Sequence, residues 1–214
     1  MDESDTIILT KLNMFQDFLG IAPTVTQSAA AAATAVCACV SMNTPDDAEA
    51  DTLLCALVLW WASIVGSKRI TVLVGSDERA RELLQRIHAM QYAVPANWRR
   101  PFSSAKSRWG QWYMGSFTGA GWVYMLTEPD DTLDWSAAVV VDRTFRRDER
   151  TCALLADHHR RGGTLTQYLF LSDTKQCHSS LSDLWITEFF PEVCSFTAST
   201  SDDGVPPLDD ADVL

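Results

Sequence analysis

The segment KRITVLVGSDERARELLQRIHAM, Lys68 to Met90, contains the clearest supersecondary pattern in the chain. A β-branched run from Arg69 to Val74 predicts a strand, and Gly75-Ser76 predicts the turn that ends it. Ser76 is a preferred helix N-cap, because its hydroxyl accepts from the first free amides of the following helix. That helix has apolar residues at i, i+3, i+4 and i+7, namely Ala80, Leu83, Leu84 and Ile87. The segment therefore predicts a strand-to-helix unit of an α/β sheet.

Three more apolar runs, GWVYML, SAAVVVD and TQYLFLSD, predict further strands. A helix predicted from Arg146 to Arg161 separates the last two, and a strand, helix and strand of this length form a right-handed parallel crossover. Continuous β-branched runs indicate strands that are buried on both faces. The predicted fold class is therefore α/β, with a three-layer, mostly parallel, RecA- or Rossmann-like sheet and an N-terminal helical extension.

Composition divides the chain into three parts. Residues 1–44 are predicted to form a helical, alanine-rich extension with a first helix near Leu12 to Leu19, and its segment 28–40 is either a closely packed helix or a flexible linker. Residues 45–195 are predicted to form the α/β domain, which begins with an apolar helix from Pro45 to Gly66. Residues 196–214 contain five aspartates and no periodicity, which predicts a disordered acidic tail.

The composition predicts an intracellular protein, cytoplasmic or nuclear, with no membrane partner. The longest apolar run, Leu53 to Val65, is shorter than the roughly 20 residues that span a bilayer. The first residues, MDESDTIILT, lack the basic start and cleavage site of a secretory signal. The six cysteines form no paired CxxC zinc pattern. We therefore expect reduced, mostly buried thiols and no bound metal.

Charge is distributed unevenly along the chain. The formal net charge is −11, which argues against general attraction to nucleic acid. Residues 68–161, however, contain 15 of the 17 Lys and Arg but 11 of the 28 Asp and Glu, so this segment is +4 while the flanks carry −15. The middle of the chain is therefore the part suited to contact phosphate.

Ligands of open parallel sheets bind beyond the carboxyl ends of the strands. The turn Gly75, Ser76 and Asp77 lies at such an end, where free amides and the helix dipole can bind an anion. Helix capping explains the same residues, and both interpretations stand.

Asp142 follows a buried valine run, which is the setting of a Walker B aspartate that holds magnesium. No G-x-x-x-x-G-K-[ST] loop exists anywhere in the sequence, and without it the phosphates and magnesium lose their main cradle. No nucleophile elbow of the G-x-S-x-G type is present either. We therefore expect no catalytic residues and no cofactor.

Basic and aromatic residues alternate between Trp98 and Tyr113, a pattern typical of single-strand binding by base stacking and backbone neutralisation. Burial of these rings under a loop explains the pattern equally well. Arginines of the 146–161 helix are candidates for phosphate contacts or for charges at helix ends. The candidate nucleic-acid-binding residues are Trp98, Arg99, Arg100, Lys106, Arg108, Trp109, Trp112, Tyr113, Arg146, Arg147, Arg160 and Arg161.

From residue 68 to 172 the order of elements resembles the second RecA-like domain of superfamily-two helicases. KRITVLVGSDERARELLQRIHAMQYAV is similar to that domain's opening strand and helix, and WVYMLTEPDDTLDWSAAVVVDRT to its passage between two strands. The resemblance implies that Thr127 contacts nucleic acid and that Arg160 or Arg161 is the counterpart of an arginine finger. The same segment also resembles a degenerate terminase-type ATPase core, with Asp142 as its Walker B aspartate.

The leading hypothesis is a non-catalytic RecA-like module that binds nucleic acid or a protein partner in a replication or packaging assembly. A structural or adaptor protein, which self-associates or blocks a partner through its apolar and aromatic surface, is the alternative. The expected partners are a protein partner, a second copy of the chain, or single-stranded nucleic acid.

Overall fold

The computed structural model describes most of the chain between residues 25 and 197. The described residues are 17, 25–44, 47–64, 69–96, 99, 102–107, 111–116, 121–162, 167–173, 186, 188–190 and 192–197. The helices are α1 (Val25–Val36), α2 (Asp47–Ile64), α3 (Asp77–Ala93) and α4 (Glu149–Gly162), with one short 3-10 helix, η1 (Asp131–Trp135). The strands are β1 (Cys39–Thr44), β2 (Arg69–Leu73), β3 (Phe102–Lys106), β4 (Trp112–Ser116), β5 (Trp122–Leu126), β6 (Ala138–Val141), β7 (Gln167–Asp173) and β8 (Cys194–Thr197).

The strands form one sheet in the order β3-β4-β5-β2-β6-β7-β1-β8. From β5 to β8 every neighbouring pair is parallel, whereas β3, β4 and β5 pair antiparallel. The mostly parallel α/β sheet predicted from the sequence is confirmed, and the β3-β4 hairpin adds an antiparallel edge to it.

Helices cover both faces of the sheet, because alternate residues of each central strand enter different cores. On one face, Ile70 and Val72 of β2 pack with Leu57 of α2 and Leu83 of α3. On the other face, Leu73 of β2 packs with side chains of α4 such as Leu155. This is the predicted three-layer arrangement.

Strand β1 is the main departure from the predicted boundaries. The sequence predicts a helical extension over residues 1–44, but Cys39–Thr44 pairs on one side with β7 and on the other with β8. The preceding alanine-rich segment forms α1, whose Ala31 and Ala33 pack in the same core as Leu57. The short alanine side chains let α1 pack closely against this core. The same alanines give no local signal in the sequence for the start of β1. The predicted helix Leu12 to Leu19, apart from Asp17, and most of the predicted acidic tail lie outside the described residues.

Two smaller features also differ from expectation. The segment from Trp98 to Tyr113, in which the sequence predicts no strand, contributes β3 and the first residues of β4. Helix α4 begins at Glu149 rather than Arg146, because Asp148 accepts from the amide of Thr151 at 2.9 Å and so caps the helix.

Cysteine chemistry is mixed in the described residues. Cys39, Cys55 and Cys152 are free and buried, whereas Cys37 is disulfide-bonded, contrary to the expectation of reduced thiols throughout. Burial raises the pKa of Cys152 to about 11, so this thiol is unreactive at neutral pH. Within the part of the chain described, no helix is long and apolar enough to cross a membrane.

Candidate functional site

Asp142 lies directly after β6, at the carboxyl edge of the sheet, and it is fully buried. Both of its carboxylate oxygens accept hydrogen bonds from Arg79, Oδ2 from Nε at 3.1 Å and Oδ1 from Nη2 at 3.0 Å. Oδ2 also accepts from the amide of Thr144 at 3.2 Å and from the hydroxyl of the same residue. The carboxylate at the Walker B-like position is therefore already occupied by groups of the chain itself.

The strand-to-helix turn at Gly75-Ser76 places Arg79 here. The Ser76 hydroxyl accepts from the Arg79 amide at 3.2 Å, so the cap fixes the first turn of α3 against the end of β6. The guanidinium is then directed into the protein, and Arg79 is only 7% exposed.

A second buried carboxylate completes the arrangement. Asp51, in the second turn of α2, accepts from Nη1 of Arg79 at 3.0 Å and from Nη2 of the same group. Arg86 Nη1 lies 3.0 Å from Asp51, and Arg143 Nε lies 3.6 Å from it. We call Asp51, Arg79 and Asp142 the buried ion triad.

The pKa values in the triad follow from these contacts. Burial alone would raise the pKa of Asp142, but the hydrogen bonds and charge of Arg79 and the hydrogen bonds of Thr144 hold it below its usual value. Burial likewise opposes the charge of Arg79, yet its hydrogen bonds to Asp51 and Asp142 raise its pKa above the ordinary arginine value. Asp142 and Arg79 are therefore charged at neutral pH.

This geometry does not fit the magnesium nucleotide that a RecA-like ATPase fold implies. A magnesium ion demands near-ideal octahedral oxygen ligation, whereas both oxygens of Asp142 face Arg79. The guanidinium beside the carboxylate repels a cation. Removing the guanidinium would leave Asp51 buried with one fewer partner. No group of three or more His, Cys, Asp or Glu side chains suited to a metal occurs among the residues that the structure describes.

The predicted anion site contributes to the same corner of the molecule. The Gly75 amide donates to the Thr144 hydroxyl at 3.0 Å, and Ser76 caps α3. Asp77 pairs with Lys106 at 2.5 Å. The geometry of these contacts agrees with the capping interpretation. Anion binding at this turn stays a prediction.

An open depression of about 410 Å³ adjoins this turn. Its lining includes Gly75, Thr127, Thr144, Arg146 and Arg150. Thr127, which the helicase resemblance singles out, thus lies at the carboxyl edge near the end of β6.

The predicted aromatic and basic segment is only partly described. Trp98, Arg100, Arg108 and Trp109 lie outside the described residues. Arg99 donates to the carbonyl oxygens of Tyr92 at 2.7 Å and Val94 at 3.0 Å, so it caps the end of α3.

Strand β4 divides its two aromatic residues between the faces of the sheet. Trp112 packs against the core under α2 and α3, with the Lys106 ammonium 5.4 Å from its ring centroid. Tyr113 contacts Trp122 on the opposite face, at 6.0 Å between ring centroids. The structure thus separates residues that the sequence places together.

The arginines around α4 have different surroundings. Arg146 is largely exposed, with its side chain 89% accessible. Arg147 donates to the carbonyl of Leu171 in β7. Arg160 and Arg161 are exposed and form ion pairs with Asp157 or Asp134. Their assignment to phosphate binding stays a prediction.

Sequence reasoning found Asp142 but missed Asp51 and Arg79. A signal for Arg79 was present, since it precedes Leu83 by one helical turn and so lies on the apolar stripe of α3. Asp51 likewise precedes a long apolar run. A charged residue on a buried helix face requires a partner, but the sequence did not identify which one.

The chain is similar to known proteins in its fold but not in its sequence. No protein-family model matches the chain, and no curated protein is similar to it in sequence. The HK97 bacteriophage large terminase superposes with a TM-score of 0.62 at 12% identity, over 95% of this chain and 45% of that one. The ATPase domain of the Thermus phage P74-26 large terminase gives 0.57 at 10% identity, over 87% of this chain and 85% of that domain.

A large terminase from a thermophilic bacteriophage gives a TM-score of 0.57 at 8% identity, over 85% of this chain and 46% of that one. The chain spans less than half the length of this protein and of the HK97 terminase. Identities this low establish the architecture alone. The chain has the RecA-like fold of a terminase-type ATPase core.

Proposed function

We propose that this chain is a non-catalytic RecA-like module of a packaging or replication assembly, in which it binds nucleic acid or a protein partner. The observation that carries the proposal is the pairing of Asp142 with Arg79. A carboxylate that accepts two hydrogen bonds from a buried guanidinium is not available to hold magnesium, and phosphoryl transfer depends on metal and positioned charges.

The connection between β1 and α2 supports the same conclusion. Asp51 of α2 shares Arg79 with Asp142, so the first turns of α2 face the end of β6. A phosphate-binding loop in this position needs glycine amides and a lysine. The sequence from Asn43 to Thr52, NTPDDAEADT, has neither and carries four acidic residues. Acidic side chains repel phosphate rather than cradle it.

The fold likeness to phage large terminases supports the assignment to a packaging or replication assembly, in which a RecA-like domain without a nucleotide site serves as a structural or binding element. The basic middle segment, +4 against −15 in the flanks, supports a contact with phosphate. The predicted contact residues are those of the Trp98 to Tyr113 segment and of the Arg143 to Arg161 region.

A structural or adaptor role without nucleic acid is the second candidate. Large exposed apolar side chains favour it, above all Trp135 at 68% and Tyr92 at 71% exposure, because such residues are enriched in protein interfaces. Analytical ultracentrifugation over a wide concentration range tests this candidate through the oligomeric state.

Release of radiolabelled phosphate from ATP tests the leading proposal. Wild-type protein and Asp142→Asn are compared with magnesium, with and without single-stranded DNA. Asp142→Asn serves as the matched background, because an amide is a poor magnesium ligand of similar shape. We expect equal, background-level release from both proteins. Magnesium-dependent release by the wild type at several times the rate of Asp142→Asn would overturn the proposal.

A further inference from the structure

A second surface lies at the opposite edge of the sheet from the buried ion triad, where the parallel strands β5, β2 and β6 begin. It consists of Tyr113, Trp122, Arg69 and Trp135, which we call the aromatic-arginine surface. These residues come from β4, β5, β2 and η1. Only Tyr113 belongs to the segment that the sequence singled out.

The strand register places three of these side chains on one face. Gly115 of β4 pairs with Trp122 of β5, and Trp122 pairs with Arg69 of β2. The Trp122 ring lies over Gly115, where any Cβ would collide with it. Tyr113, two residues from Gly115, is on the same face, and its ring centroid is 6.0 Å from that of Trp122. Glycine thus makes room for the tryptophan beside the tyrosine.

Trp135 extends the row on the other side of Arg69. The Arg69 guanidinium carbon lies 5.8 Å from the centroid of the Trp135 ring, within cation–π range. Two hydrogen bonds hold the chain beside the Trp135 ring in place. The Ser136 and Thr71 hydroxyls are 2.6 Å apart, and the Ala137 amide donates to the Arg69 carbonyl at 2.8 Å. The order across the surface is therefore tyrosine, tryptophan, arginine, tryptophan.

This surface is open and carries positive charge. Trp122 is 40% exposed and Trp135 is 68% exposed, and Arg69 is exposed between them. No carboxylate of the described residues forms an ion pair with Arg69. Asp134, next to Trp135 in the chain, lies 3.6 Å from Arg161, which compensates its charge. An exposed cation between two exposed rings suits an anionic partner that also has flat faces.

We propose that the aromatic-arginine surface stacks the bases of single-stranded nucleic acid while Arg69 contacts a phosphate. In other sheet proteins, aromatic side chains on an open sheet face stack two or three unpaired bases. Each stacked base contributes to the binding affinity without sequence preference. Paired bases of a duplex cannot present their faces in this way. The inference rests on the binding role proposed above but does not depend on the lack of catalysis.

Fluorescence anisotropy of a labelled oligo-dT strand at low salt tests the inference. Trp135→Ala and Trp122→Ala are each expected to weaken binding about tenfold, since loss of one stacked base has an effect of that order. Trp135→Phe keeps a ring and is expected to retain most of the affinity. Arg69→Gln is expected to reduce the slope of log affinity against log salt by about one.

Tyr92→Ala is the matched control, because Tyr92 is equally exposed but lies at the end of α3, and it is expected to bind as the wild type does. Circular dichroism establishes that each variant is folded. Strong binding that survives Trp122→Ala/Trp135→Ala but disappears in Arg99→Ala/Arg100→Ala/Arg108→Ala would overturn this inference and leave the proposed binding role intact.

Absence of oligonucleotide binding at low salt would overturn both the inference and the nucleic-acid part of the proposed function. If, in that case, sedimentation shows a wild-type dimer that Trp135→Ala dissociates, the surface is a protein contact instead.

Discussion

Arg79 is the residue on which the carboxyl edge of the sheet depends. Its side chain, 8% exposed, joins Asp51 of α2 to Asp142, which directly follows β6. Neither aspartate is accessible to water, so each requires a buried cation or a proton. Removal of one partner from such a buried network destabilises the folded protein far more than the intact network stabilises it.

Arg79→Met is expected to lower the free energy of unfolding by about 3–5 kcal/mol, because it leaves two carboxylates buried with less compensation. Urea denaturation at pH 7 measures this change. Arg81→Met is the control: Arg81 lies in the same helix with an exposed side chain, and a change within about 0.5 kcal/mol is expected. Equal stability of Arg79→Met and wild type would contradict the role given to the triad.

Acid pH provides an independent check on the same variant. The folded-state pKa of Asp142 is lowered, so its stabilising contribution is present above the unfolded pKa of about 3.9 and is lost as pH falls through the folded value. In Arg79→Met, protonation of Asp142, which has lost its buried cation, instead relieves part of the penalty. The difference in stability between the two proteins is therefore expected to shrink as pH falls from 7 towards 4. A constant difference would indicate that lost packing, not charge, explains the variant.

At the scale of elements, the turn between β2 and α3 holds two parts of the chain together. The Gly75 amide donates to Thr144, and a Cβ at Gly75 would meet the backbone carbonyl of Thr144. Thr144 in turn bonds to Asp142. The turn, the loop after β6 and the ion triad are thus packed as one unit.

Gly75→Ala is expected to destabilise the protein by about 1–3 kcal/mol, since the contact is with rigid backbone and one of the two loops must move. Thermal unfolding measures the effect. Ser103→Ala, at an exposed position of β3, is expected to leave the melting temperature nearly unchanged. A wild-type melting temperature for Gly75→Ala would mean that the two loops do not pack as described.

Elements with a strong local period were predictable from the sequence, and the others were not. The β2-Gly75-α3 unit has its strand, cap and apolar stripe within one segment, so local rules sufficed. β1 was missed because alanines precede it and its partners β7 and β8 are more than 100 residues away. β3 and β4 were missed because their register depends on each other and on β5. The Asp51–Arg79 pair required the sheet order, which local patterns do not contain.

At the scale of the molecule, the two edges of the sheet have different chemistry. The carboxyl edge, where ligands of parallel sheets normally bind, has a Walker B-like aspartate neutralised by Arg79. The amino edge presents exposed Trp122 and Trp135 around Arg69. In a RecA-like fold whose Walker B-like aspartate is neutralised, ligand binding would have to occur at another surface. We propose this role for the aromatic-arginine surface.

Thermal unfolding in the presence of magnesium ATP tests most directly the central proposal, that Asp142 and its described surroundings hold no magnesium nucleotide. A ligand that binds only the folded state raises its stability in proportion to the logarithm of its concentration over the dissociation constant. We predict no magnesium-dependent shift of the melting temperature up to millimolar nucleotide, for wild type and Asp142→Asn alike. A saturable rise in the wild type that requires magnesium and is absent in Asp142→Asn would contradict the account.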